Sequence, residues 1–323
     1  MAKRNMVEAL NLALRQEMER DPSVIVLGQD VGINGGVFRV TDGLHARFGG
    51  DRVLDTPLVE SGILGSAMGM AIGGLKPVAE IQFDGFTFNA MAQLEGNVSR
   101  YRSRSRGRWT VPLVLRFPYG GGVRALEHHS EAREALYALP GVKVVIPSGP
   151  RNARSLLVAA IRDPDPVVFL EPKRSYRAFK EEVPDEEEVG VIGQAQVVRP
   201  GTDVTVVSWG AMMRPVLEAV ENLAGEASVE VVDLLTLHPM DVATIATSVR
   251  KTGRLVVVQE GYRAFGPSSE VVAAVLDEVF WDLEAPIQRV TGYDVVTPYF
   301  ARESLYLPDS ARVQQAIRKT LNP

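Results

Sequence analysis

Cysteine is absent from the 323-residue chain, which excludes disulfides, thiol nucleophiles and cysteine-ligated metals together. Nucleotide cradles are missing as well: the glycine-rich stretch from Gln29 to Phe38 (QDVGINGGVF) has neither the GxGxxG nor the GxxxxGK[ST] spacing, so it reads as a turn or a subunit contact. No GxSxG elbow occurs, which counts against a Ser/His/Asp hydrolase. No apolar run is long enough to span a membrane, and the start, MAKRNMVEALNLALRQEMERD, has no apolar core of signal-peptide length. A cytoplasmic protein is the expectation. A net charge of −5 gives no reason to expect nucleic acid, and the one dense basic run, Arg100 to Arg108 (RYRSRSRGR), reads as a solvated or subunit-facing surface.

What is present is ordinary globular material. With 46% apolar and 23% charged residues, the chain is excluded from wholesale disorder, and its length suits two domains that each bury a core. Met6 to Arg20 has apolar residues at helical spacing, and Ser23 to Leu27 follows as a strand. Further strands are expected at Val53–Asp55, Pro77–Gln82, Val111–Arg116, Val142–Ile146 and Val167–Leu170, with helices from Asn89 to Tyr101, from the His128–His129 loop through Leu139, and from Asn152 to Arg162. The stretch EPKRSYRAFKEEVPDEEEVG is charged and aperiodic, so the domain boundary is placed near Pro184, giving domains 1–184 and 185–323. Beyond it, strands at 204–208, 229–235, 255–259 and 287–290 alternate with helices at 213–223, 242–249, 269–280 and 309–321. Apolar strands alternating with helices argue α/β domains built on mostly parallel sheets covered on both faces.

One stretch organises the rest: VLDTPLVESGILGSAMGMAIGGLKPVAEIQFDGF, from Val53 to Phe86. Glu60 falls where a strand end turns into a helix. The helix is read as containing Gly62, Gly65, Gly69, Gly73 and Gly74, although each interior glycine costs about 1 kcal/mol against alanine. Gly65, Gly69 and Gly73 recur at every fourth position and leave a smooth strip where another backbone or a flat ligand can approach. The following strand ends in Gln82, Phe83 and Phe86, and strand ends are where open α/β sheets place ligands. A structural account also satisfies Glu60, because a carboxylate in a first helical turn is favoured by the helix dipole.

His128 and His129 sit in a glycine-rich loop where imidazoles stay reachable. Adjacent histidines in an extended loop point to different sides, which makes a metal pair weak. General acid/base work at neutral pH suits a histidine, and so does structural hydrogen bonding. In the second domain, only His238 and Glu260 are candidates, both at element ends where capping accounts for them.

The blocks TPLVESGILGSAMGMAIGGLKPVAEIQF, PYGGGVRALEHHSEA, GVKVVIP, AAIRDPDPVVFLEPKRSYR, VEVVDLLTLHPMD and APIQRVTGYDVVTP, in this order, resemble those of the beta subunits of thiamine diphosphate-dependent 2-oxo acid dehydrogenases. These are the first, decarboxylating components of the pyruvate and branched-chain complexes. The resemblance implies a transketolase-like pyrimidine-binding domain followed by a transketolase C-terminal-like domain. It implies that Glu60 protonates the aminopyrimidine ring of thiamine diphosphate, that Phe86 stacks on that ring, and that Leu58 and Gln82 line it. His129 is implied to meet the 2-oxo acid and the lipoyl group of an acyltransferase core. A monovalent cation, often potassium, is implied at Val111, Leu113, Val114, Ala160, Asp163 and Asp165. The GDG motif that holds the diphosphate through magnesium does not occur here. In two-chain members it lies on the alpha subunit, so the resemblance implies a partner, two alpha and two beta chains, and an inactive isolated chain. EHHSEA and FLEPKRSYR look closer to the branched-chain type, whereas EIQFDGFTF and RYRSRSRGRWTVP resemble bacterial pyruvate-type sequences. An acetoin-cleaving relative shares the layout, and a non-catalytic assembly subunit of the same fold is the reading from another class.

Overall fold

The computed structural model describes residues 1–298 and 300–323; the side chains of His128 and Phe300 also lie outside the description. Two units are distinguished, Met1–Tyr119 with Leu136–Ile192, and Gly120–Ala135 with Gly193–Pro323.

The first unit opens with β1 (Ala2–Arg4) and α1 (Met6–Arg20). Asn5 starts α1: its side chain accepts from Glu8 N at 3.0 Å while Glu8 accepts from Asn5 N at 2.8 Å, so two orphan amides are satisfied reciprocally. There follow β2 (Val24–Gly28), α2 (Leu44–Phe48), β3 (Val53–Asp55), α3 (Glu60–Ile72), β4 (Lys76–Glu80), α4 (Phe88–Gln93), α5 (Tyr101–Arg104) and β5 (Val114–Tyr119). After the residues assigned to the other unit come β6 (Lys143–Val145), α6 (Pro150–Arg162), β7 (Val167–Pro172) and β8 (Glu181–Val183). The parallel strands lie in the order β6-β7-β5-β4-β2-β3, and β1 pairs antiparallel with β8 apart from them. β2, β5 and β7 are buried along their whole length, which is why they read as continuous apolar runs. α1 packs along α6, and buried Glu17 near the end of α1 holds Arg162 (2.6 and 2.9 Å) and Arg20 (2.7 Å).

The second unit contains β9 (Gln196–Arg199), β10 (Val204–Ser208), α7 (Met213–Asn222), β11 (Val229–Asp233), β12 (Thr236–His238), α8 (Val242–Thr252), β13 (Leu255–Tyr262), α9 (Pro267–Val279), β14 (Gln288–Gly292), α10 (Glu303–Tyr306) and α11 (Ser310–Leu321). Its sheet runs β14-β13-β10-β11-β9, parallel except for β9. Val206, Val231, Val256, Val216, Val313 and Ile317 share one core. Both units are thus α/β on mostly parallel sheets. Among the described residues no helix is long and apolar enough to cross a membrane.

Three local expectations are corrected. Gly73 and Gly74 do not lie inside α3 but end it, Gly73 as its C-cap and Gly74 at φ +96°, a left-handed conformation open to glycine. The helix expected over Asn89–Tyr101 is broken by a π turn at Leu94–Val98. The helix expected through Leu139 is two short 3-10 turns, Glu127–His129 and Glu134–Tyr137. There tertiary contacts override propensity: buried Glu134 takes the indole N–H of Trp209 at 3.3 Å, and buried Tyr137 hydrogen-bonds Asp84 and Thr87.

Candidate active site

Strand order locates a crevice in the first unit. From β2 the chain moves outward to β3, whereas from β4 it moves the other way to β5, so the carboxyl ends of β2 and β4 form the switch point where open α/β sheets receive ligands. Asp30, two residues past β2, and Gln82, two residues past β4, meet across it: Gln82 Nε2 donates to Asp30 Oδ2 at 3.0 Å. Asp55, at the end of β3, accepts from Gly32 N (2.6 Å) and Ile33 N (3.1 Å), folding the glycine-rich loop back. A Cβ on Gly32 would stand 2.6 Å from Asp55 Oδ2, so a side chain there would have to displace the Asp55 carboxylate from the loop.

Glu60 is the first residue of α3 and only 7% exposed. Its Oε2 accepts from Asn89 Nδ2 at 3.2 Å; its other oxygen takes no hydrogen bond among the described residues. Beside it the chain leaves apolar groups open, with Leu58 63% and Val59 43% exposed. Phe86 lies one helical turn before Asn89 and meets Phe83 edge-on at 5.8 Å; Phe83, Phe38 and Tyr176 continue the aromatic row. The structure thus gathers Glu60, Gln82 and Phe86 at one end of the sheet, with Leu58 at the entry to α3. Gln29 Oε1 and Thr56 Oγ1, immediately beyond the last paired residues of β2 and β3, are buried without partners among the described residues, so this end has polar capacity to spare.

Behind this end lies a charge network that sequence reasoning missed. Arg116 Nε and Nη2 donate to both Glu171 oxygens at 2.7 Å, Nη1 pairs with Glu80, and the Tyr176 hydroxyl donates to Glu171 at 2.5 Å. Burial, reinforced by the Glu171 charge, pushes Glu80 above the usual carboxylate range although Arg116 opposes it. The available signal was a charged residue inside each of three apolar strands (PVAE, VLRF, VFLE).

The positions expected for a monovalent cation lie on the same unit. The carbonyls of Val111, Leu113 and Ala160 already accept backbone N–H groups at 2.8, 3.0 and 3.3 Å, and Val114 pairs in the β5 ladder. Asp163 binds Lys143 at 2.6 Å and Asp165 binds Arg102 at 2.6 and 2.7 Å. Each carbonyl keeps a second lone pair, while the carboxylates are engaged. Among the described residues no group of three or more acidic or histidine side chains is arranged to hold a metal.

His129 belongs to the second unit, on the 3-10 turn Glu127–His129, half-buried, its N–H donating to Leu126 O at 3.0 Å. The His128 side chain lies outside the described residues. Glu260 accepts the N–H of Gly121 in the loop that leads to His129. His238 is half-buried at the end of β12, and burial lowers its pKa.

Residues 2–179 match the family model described as transketolase, pyrimidine binding domain, and residues 193–313 that described as transketolase, C-terminal domain. The chain is 53% identical over 321 residues to the pyruvate dehydrogenase E1 component subunit beta of Acholeplasma laidlawii, covering 99% of this chain and 98% of that one. It is 49% identical over 323 residues to the protein of the same name from Bacillus subtilis (strain 168), covering 99% of each. With the counterpart from Staphylococcus aureus (strain Mu50 / ATCC 700699) identity is 48%, again over 99% of each. A solved structure described as split gene transketolase, inactive beta4 tetramer, shares the fold at a TM-score of 0.80 and 23% identity, covering 99% of each chain.

Proposed function

We propose a function from one premise: the chain belongs to the transketolase-like beta subunits of thiamine diphosphate-dependent 2-oxo acid dehydrogenases, and its curated relatives are of the pyruvate type. We infer that it takes part in oxidative decarboxylation of pyruvate and transfer of the acyl group to a lipoyl group on an acyltransferase core. Residues 1–184 serve as the pyrimidine-binding domain and 185–323 as the C-terminal-like domain. A cytoplasmic location goes with that reading.

The observation that carries it is Glu60, a buried carboxylate at a helix start beside the sheet's switch point, with Asn89 on one oxygen and the other oxygen open. The neighbours fit the pyrimidine end of thiamine diphosphate: exposed Leu58, half-buried Phe86 for stacking, Gln82 for polar contact, and buried oxygens on Gln29 and Thr56 that have no partner among the described residues. When bound, the cofactor supplies the electron sink for loss of carbon dioxide from a 2-oxo acid. Glu60 would hold and return a proton at the ring nitrogen opposite the exocyclic amine, a task that requires a poorly solvated carboxyl group. Asn89 orients that carboxyl from one side. His129 would give a proton to the lipoyl sulfur during acyl transfer.

The diphosphate and its magnesium would be held by an alpha subunit, in an assembly of two alpha and two beta chains active only as a whole. A potassium ion at the Val111, Leu113, Val114 and Ala160 backbone, with Asp163 and Asp165, belongs to the same proposal; occupancy would require Lys143 and Arg102 to share those carboxylates.

Reconstitution with an alpha-type chain tests this. Decarboxylation is measured with an artificial electron acceptor on pyruvate, a branched-chain 2-oxo acid and acetoin. Pyruvate should be preferred, and Glu60→Gln, which cannot share a proton with the ring, should abolish turnover. Turnover retained by Glu60→Gln would remove Glu60 from its role, and a preference for either other substrate would overturn the pyruvate reading.

A further inference from the structure

The stretch Gly120–Arg124, which leads toward His129, consists of three glycines and two exposed residues. From Gly120 it runs GGGVR, with left-handed φ at Gly120 (+80°), Gly122 (+84°) and Arg124 (+54°), and Val123 and Arg124 point into solvent. Such a run should sample many conformations. Its backbone amides are nevertheless captured in succession. Gly120 N donates to Glu131 O at 2.8 Å and Gly121 N to a carboxylate oxygen of Glu260. Gly122 N and Arg124 N donate to the two oxygens of Glu303, at 2.8 and 2.9 Å. Amides converging in this way form an anion-binding nest, and here the protein's own side chains occupy it.

The holders are buried. Glu260 is in β13, Glu303 opens α10, and each is 2% exposed. The glycines are the counterpart of this grip: a Cβ at Gly120 would stand 2.6 Å from Glu260 Oε1, and one at Gly121 would stand 2.8 Å from Glu303 Oε1. Nearby, burial pushes the Tyr306 hydroxyl up to about 12, opposed by its hydrogen bond with Thr297 and helped by the charges of Glu260, Glu134 and Glu131. What the carboxylates provide is a path for the Gly120–Arg124 backbone, in which only Val123 and Arg124 carry side chains, both exposed.

We propose that Glu303, with Glu260, is a positioning residue: it clamps the Gly120–Arg124 backbone and thereby sets the place of His129 in acyl transfer. The reaction part of this proposal rests on the role given to His129 above; the clamp itself does not. Glu303→Gln keeps the volume but turns one of the two accepting atoms into a donor, so an amide at Gly122 or Arg124 loses its partner. The loop should loosen, and a loosely held imidazole should serve acyl transfer poorly while the Glu60 end is untouched.

The test has two readouts. In the full chain, hydrogen–deuterium exchange at the amides of 121–124 should accelerate at least about tenfold in Glu303→Gln, with β10 and β13 unchanged. In the assembly with the alpha chain, the ratio of lipoyl acylation to decarboxylation with an artificial acceptor should fall several-fold, and the KM for a lipoyl-bearing domain should rise. If Glu303→Gln does not fold, Gly121→Ala perturbs the same contact from the loop side and should give the same pattern. Unchanged exchange would refute the clamp. Faster exchange with an unchanged ratio would refute the positioning role, and His129→Ala then separates the two readings: a lowered ratio there leaves His129 in place and sinks only the clamp, whereas an unchanged ratio sinks both.

Discussion

Replacing Gly69 with leucine separates the fold of this chain from its assembly. Gly69 lies in the interior of α3, exposed, and a Cβ added to it would meet no atom within 4 Å outside the helix's own backbone. Gly65, one turn earlier, would only just touch Gln93 at 3.9 Å, whereas Ile63, Leu64, Ala67 and Ala71 carry the buried face. Within the chain, leucine therefore has room. Leaving the helix penalty of glycine behind should stabilise the isolated chain by about 0.8 kcal/mol, a rise in melting temperature of about 2–3 °C for a domain of this size. If the strip faces a helix of a neighbouring subunit, the same side chain enters a space filled by backbone, and overpacking costs about 1–3 kcal/mol, a weakening of roughly 5- to 150-fold per interface. The assay is calorimetric melting of the isolated chain together with sedimentation of the mixture with its alpha partner. The expected result is a chain that melts slightly higher and assembles worse. Assembly at wild-type affinity would refute the subunit contact, and a lowered melting temperature would mean that the face is covered within the chain itself.

His129→Ala, paired with the alpha chain, should reduce overall complex activity by about 10²- to 10⁴-fold, the scale of general acid catalysis, while decarboxylation with an artificial acceptor falls much less; equal losses would move His129 to substrate binding. If, as proposed, this chain meets only the aminopyrimidine end, it should bind thiamine diphosphate weakly or not at all on its own in titration calorimetry, and tight magnesium-dependent binding would sink the two-chain model. Burial opposes the charge of Glu17, but its bonds to Arg162 and Arg20 hold its pKa below the usual carboxylate value. Its stabilisation should be complete above about pH 4.5 and be lost as pH falls through its lowered folded-state pKa. Glu17→Gln should accordingly cost about 1–3 kcal/mol near neutrality, with the gap to wild type closing in acid; a gap independent of pH in denaturant titrations would contradict this account.

The sheets were legible because parallel strands buried on both faces must be largely apolar, and Val24–Gly28, Val167–Pro172 and Val204–Ser208 are buried along their whole length. Glu60 was legible for a related reason: Pro57 ends the strand side, and a carboxylate three residues later marks a helix start. The short strands β1, β8, β9 and β12 were missed: β8 and β9 are polar or exposed over most of their length, and β1 pairs only with β8. β5 begins at Val114 rather than Val111 because Pro112 has no N–H to give to the ladder.

What stayed hidden in the site shares one physical character: it is carried by the backbone or by pairing across strands. Arg116, Glu80 and Glu171 are distant in sequence, and only the β4-β5-β7 register makes them one network. The meeting of Asp30 with Gln82 depends on β4 lying beside β2 and not beside β3, a choice of strand order that no local pattern encodes. The grip of Glu260 and Glu303 on the glycine run falls on amides that every residue has, so it shows in sequence only as a requirement for the absence of Cβ at Gly120 and Gly121. A glycine run just before a candidate catalytic side chain is therefore better read as the imprint of a buried acceptor pressing on the backbone than as freedom of the loop, and the acceptor is to be sought among acids at the ends of other elements. Glu260 and Glu303 stand at such ends, the first late in β13 and the second opening α10.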